Sequence, residues 1–76
     1  MGINIRGFAE RLDEAIKQSG KTNAQITEEI RMERKAIGKW RSGEGQPRLT
    51  YFARLCKCLN VSSDYLLGLS DKKEPR

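Results

Sequence analysis

A chain of 76 residues and 8.7 kDa has room for one small domain, near the lower limit for a self-supporting hydrophobic core, which predicts a compact, self-associating protein. With 37% hydrophobic and 33% charged residues, no apolar run near the ~20 residues that span a bilayer and no histidine, the composition argues against a membrane protein, a histidine-based catalytic group and most zinc sites. The net charge of +5 is concentrated in residues 31–48, where Arg31, Arg34, Lys35, Lys39, Arg41 and Arg48 face only Glu33 and Glu44, a footprint suited to a polyanionic partner.

At the N-terminus, Met1 to Arg6 lack the apolar stretch of a signal peptide, and Arg6 stands where a myristoylation signal needs Ser or Thr. A cytoplasmic protein without a lipid anchor is expected. Ile5, Phe8, Leu12, Ala15 and Ile16 then recur in steps of three and four, which predicts an amphipathic helix over about residues 5–19, stopped by Gly20. Thr22-Asn23-Ala24-Gln25 reads as a capping box that opens a second, short helix with Ile26 and Ile30 on its buried stripe.

A tight turn at Arg31-Met32-Glu33 leads to a third helix carried by Ile37 and Trp40 and ended by Ser42-Gly43. The spacing of Trp40 from Ile37 assigns it to the core rather than to stacking on a base. Burying those two residues puts Arg34, Lys35, Gly38 and Lys39 on the opposite face as one patch, spaced i, i+1, i+4, i+5. A helix with such a patch fits the major groove, where Arg and Lys donate to guanine O6 and N7. Gly38 at its centre allows close approach to base edges, at a helix cost of about 0.8–1 kcal/mol against alanine.

After the loop holding Gly45 and Pro47, a fourth helix shows Leu49, Phe52, Ala53, Leu55, Cys56 and Leu59, with Asn60 as its left-handed terminator. Cys56 and Cys58 are splayed by about 200° on that helix and cannot bridge each other, so they read as two small, mostly buried thiols. Ser62 caps a fifth helix with Tyr65, Leu66 and Leu67, stopped by Gly68. Residues 1–69 are thus expected to form one domain, and residues 70–76, with Lys72, Lys73 and Arg76, a disordered polar tail. Nothing alternates like a strand, so the expected class is all-α with five short helices.

From residue 8 to residue 68 these elements resemble the phage repressor/Cro helix-turn-helix family, also called the XRE family. The resemblance is carried by Arg11-Leu12, by Thr22-Asn23-Ala24-Gln25-Ile26, by Ala36-Ile37-Gly38-Lys39-Trp40, by Ser42-Gly43 with Pro47, and most specifically by the run from Leu55 through Asn60-Val61-Ser62-Ser63-Asp64-Tyr65-Leu66-Leu67-Gly68. It implies a lambda-repressor-like fold and a DNA-binding transcription regulator, expected to be a repressor, that binds double-stranded DNA at a palindromic operator as a homodimer. Residues 34–42 take the place of the recognition helix, with Arg34, Lys35 and Lys39 at base-reading positions. Thr22, Asn23, Arg41, Ser42 and Arg48 fall where phosphates are gripped, and Tyr65 and Leu66 where members dimerise. Three departures stand out: Arg31 where a turn glycine is usual, Glu33 where Ser or Thr caps the recognition helix, and Thr27 where Ala makes the packing contact. The same fold also serves protein-interaction modules such as antitoxins and adaptors, and that is the alternative reading. Such a module would tolerate neutralising the Arg34-Lys35-Lys39 patch, whereas a DNA reader would not. An enzyme is not expected, nor any metal or cofactor. Taken as a complete chain, 76 residues leave no room for an appended ligand-binding domain, so control would come through dimerisation, abundance, or a protein partner such as an anti-repressor.

Overall fold

A computed structural model describes residues 5–75. Residues 1–4 and Arg76, and with them the readings made of the N-terminal stretch and the end of the tail, lie outside the described residues. Five α-helices make up the regular structure of the described residues: α1 (Ile5–Ser19), α2 (Asn23–Ile30), α3 (Arg34–Ser42), α4 (Leu49–Leu59) and α5 (Ser63–Leu67).

The helix ends follow from local chemistry. The Thr22 side chain accepts from the Gln25 N–H at 3.1 Å, and the Gln25 side-chain oxygen accepts from the Thr22 N–H at 2.8 Å, so the capping box is complete. Helices α1, α3 and α5 stop at Gly20, Gly43 and Gly68, all with positive φ. Helices α2 and α4 stop at Arg31 (φ 59°) and Asn60 (φ 54°), the two non-glycine residues in the left-handed region among the described residues. Arg31 therefore carries a backbone strain of about 1 kcal/mol that a glycine would not. Glu33 sits at the N-cap of α3 without a side-chain capping bond. Ser62 caps α5 by accepting from the Asp64 N–H at 3.2 Å.

The core is one cluster that every helix enters. Helix α1 contributes Phe8, Leu12, Ala15 and Ile16, α2 contributes Ile26 and Ile30, α3 contributes Ile37 and Trp40, and α4 contributes Leu55 and Leu59. Helix α1 runs through the centre, packing on α3, α4 and α5, while α2 packs on α3 and α4. Thr27 is buried with them, and its hydroxyl donates to the Ala24 carbonyl at 3.0 Å, so among the described residues no buried side-chain nitrogen or oxygen is left unsatisfied.

Two expectations are corrected here. Tyr65 and Leu66, assigned to a dimer interface, are core residues, 7% and 0% exposed. The Tyr65 ring lies under the Arg11 guanidinium, 4.8 Å from its centroid, with the Lys73 ammonium at 5.6 Å. Among the described residues, the large apolar side chains left to solvent are instead Leu49, 82% exposed, and Leu69, 70% exposed. Leu49 is the first residue of the fourth helix and projects beyond the core.

The second concerns the polar tail, expected to be disordered. Its described residues form no helix or strand, yet they lie against α1 and α5. Arg11 donates to the Ser70 carbonyl at 2.8 Å and pairs with Asp71 at 3.1 Å, while the Ser62 N–H donates to the Lys73 carbonyl at 2.8 Å. The physical reason is Arg11, whose fork of donors also takes the Tyr65 carbonyl at 2.9 Å.

Candidate nucleic-acid interface

The face of α3 opposite Ile37 and Trp40 carries Arg34, Lys35, Gly38 and Lys39, all exposed. Among the described residues none of the three cations has a hydrogen-bond or ion-pair partner. A Cβ built on Gly38 would meet nothing within 4 Å, so no neighbour in the fold demands a glycine there. The patch is therefore a row of unengaged positive charge around a gap in the side-chain surface. Arg31, before α3, and Arg48, at the N-cap of α4, are likewise exposed and unengaged among the described residues.

The remaining expected contact residues separate into two groups. Thr22 is exposed; its oxygen caps α2 as an acceptor, which leaves the hydroxyl proton available to an external acceptor. The capping box satisfies two of the end donors of α2, so the outward N–H groups of the first turn are those of Asn23 and Ala24, at the positive end of the helix dipole. Asn23 and Arg48 also present free donors.

Arg41 and Ser42 are bonded within the chain instead. Arg41, with 22% of its side chain exposed, donates from Nε to Asp13 Oδ1 at 2.7 Å, and its Nη2 lies 2.6 Å from the same oxygen. Its Nη1 donates to Asn23 Oδ1 at 2.7 Å. The Ser42 hydroxyl stands 3.0 Å from the Lys39 carbonyl and 2.9 Å from a Glu44 carboxylate oxygen, both acceptors for its single proton. The structure thus brings Arg34, Lys35, Lys39, Thr22, Asn23 and Arg48 to accessible positions, and holds Arg41 and Ser42 inside the chain's own bonding.

Asp13 was not foreseen. It pairs with Lys17 at 3.0 Å as well as with Arg41, and the bonds to Lys17 and then Arg41 hold its carboxyl below the ordinary value of 3.8. Its signal in the sequence was weak: an acid on α1 with a lysine four residues on is an ordinary helix pair. Away from the α3 face, both thiols are free and half-buried. Burial first of all pushes each up to about 11, and for Cys58 a bond to Glu29, 2.6 Å away, adds to it, so both stay protonated near neutral pH.

Comparisons with known proteins show the family and the fold. The helix-turn-helix family profile matches residues 2–66. The chain is 33% identical over 61 residues to the HTH-type transcriptional activator BcrR of Enterococcus faecalis, a match covering 80% of this chain and 30% of that protein. It is 36% identical over 59 residues to the cryptic phage CTXphi transcriptional repressor RstR of Vibrio cholerae, covering 78% of this chain and 53% of that protein. It is also 29% identical over 69 residues to the uncharacterized HTH-type transcriptional regulator YobD of Bacillus subtilis, covering 91% of this chain and 62% of that protein. In each case the chain spans less than two thirds of the relative's length. Among solved structures, the restriction-modification controller protein C.AhdI of Aeromonas hydrophila has the same fold, with a TM-score of 0.74 at 19% identity over 82% of this chain and 94% of that one. The chain belongs to the XRE-type helix-turn-helix family and is a DNA-binding domain of the kind that transcription regulators carry.

Proposed function

We propose that this helix-turn-helix protein is a sequence-specific transcriptional repressor that binds a palindromic operator in double-stranded DNA as a homodimer. The observation that carries the reading is the unengaged Arg34-Lys35-Lys39 face around Gly38, aimed outward by the burial of Ile37 and Trp40. On this reading α3 lies in the major groove, the three cations donate to base edges, and Thr22, Asn23 and Arg48 bind flanking phosphates. The likeness to a phage repressor, 36% identical over 59 residues, supports repression on this reading.

The two-fold contact is assigned to the apolar surface left open beside α4 and α5. Leu49, Phe52 and Leu67 line a groove there with Phe8 and Pro47, and Leu69 is exposed just beyond α5. A second copy of the chain covers these side chains and sets two recognition helices about 34 Å apart, one turn of DNA.

Selection from a random duplex pool near physiological salt tests the reading, with sedimentation of the recovered complex. The expected result is a palindrome bound by two chains. Binding without a motif that vanishes as salt is added would leave only generic attraction between charges and would overturn it.

A further inference from the structure

Among the described residues, Arg41 is the cation of the 31–48 block whose three guanidinium nitrogens all meet partners within the chain, and those partners join three helices. Asp13 lies on α1, Asn23 opens α2 and Arg41 closes α3. A guanidinium has donors only, so the Asn23 amide must turn its oxygen to Arg41 and leave Nδ2, with two N–H groups, as its free end. That choice matters at this place. A phosphate oxygen accepts and never donates, so an outward carbonyl would repel it and an outward amide nitrogen binds it.

The geometry points to Arg41 as a positioning residue for DNA binding: anchored by Asp13, it holds the Asn23 amide with its N–H groups available to a phosphate beside the free N–H groups of the first turn of α2. The inference rests on the operator reading above, and it moves Arg41 from the expected phosphate contacts to the support of one. The fork of the guanidinium is essential to it, because Asp13 and Asn23 are reached through different nitrogens. The point charge of a lysine would serve one partner and release the other.

The test is a double-mutant cycle on the duplex selected by wild type: Arg41→Gln and Arg41→Lys, each alone and in an Asn23→Ala background, titrated at several salt concentrations, with thermal unfolding of every variant. Arg41→Lys retains the charge toward Asp13 and carries the test if Arg41→Gln fails to fold. A positioning role predicts that both substitutions weaken binding by up to about tenfold in the presence of Asn23, as expected for one lost hydrogen bond. In the Asn23→Ala background they lower it less than about twofold, and the salt dependence keeps its slope throughout. If Arg41→Lys binds like wild type, or if Arg41→Gln costs as much without Asn23 and lowers the salt slope by about one, Arg41 touches the phosphate itself and this inference falls alone. If wild type selects no duplex, the operator reading falls and takes the inference with it.

Discussion

Two regions of the molecule treat positive charge in opposite ways. Around α1, cations are joined to the fold: Arg11 binds the Tyr65 and Ser70 carbonyls and Asp71, Lys17 and Arg41 meet on Asp13, and Lys21 holds Glu29 and the Cys58 carbonyl. On α3 and its flanks, Arg31, Arg34, Lys35, Lys39 and Arg48 stand without partners among the described residues. A charge already bonded at both ends has little to gain from an outside anion, whereas an unengaged one does. On the proposed reading, the DNA-binding surface is marked by where the basic residues lack partners more than by where they are.

The largest effect is expected where the two regions share support. Trp40→Ala removes the core residue that aims α3 and should destabilise the protein by about 3–5 kcal/mol in chemical denaturation, abolishing both regions together. Gly38→Ala should separate them. With open space around the new methyl, helix propensity alone raises stability by about 0.8–1 kcal/mol, while operator affinity falls because the face no longer seats as closely. A gain in both quantities would mean that the gap on α3 serves no close approach.

Arg48→Ala should leave the unfolding temperature unchanged, weaken all duplexes alike and flatten the salt dependence by about one unit of slope. The smallest effect lies in the bonded region. The Asp13 carboxyl is depressed in the folded state, so its contribution is complete above the ordinary value of 3.8 and disappears as pH falls through the folded value. Asp13→Asn should accordingly cost less than about 1 kcal/mol near neutral pH, and the difference from wild type should vanish in acid.

Much of this contrast was legible in the sequence because its causes are local. The capping box lies within four residues, the terminators Gly20, Gly43, Asn60 and Gly68 act through their own backbone angles, and Ile37 and Trp40 orient α3 from within it. What was not legible depends on partners far along the chain. Arg41 reads like any other arginine of the basic block until Asp13, 28 positions earlier, is brought beside it. Tyr65 and Leu66 are placed at a dimer interface by resemblance alone, because Arg11, which closes over the Tyr65 ring, stands 54 positions away in the chain, and the tail is tied down by the same side chain. Helical periodicity also cannot tell a first-turn leucine that overhangs the core, such as Leu49, from one that enters it.

The central claim is that the unengaged face of α3 reads bases while its neighbours only grip the backbone. It is tested most directly by the affinities of wild type, Arg34→Ala and Arg48→Ala for the selected duplex and for versions with single base changes in each half-site. Arg34→Ala is predicted to cost about 1–3 kcal/mol and to lose discrimination at one base position, with Arg48→Ala weaker on every duplex by the same factor. Equal, sequence-independent losses from both substitutions would contradict the account and reduce Arg34 to one more phosphate contact.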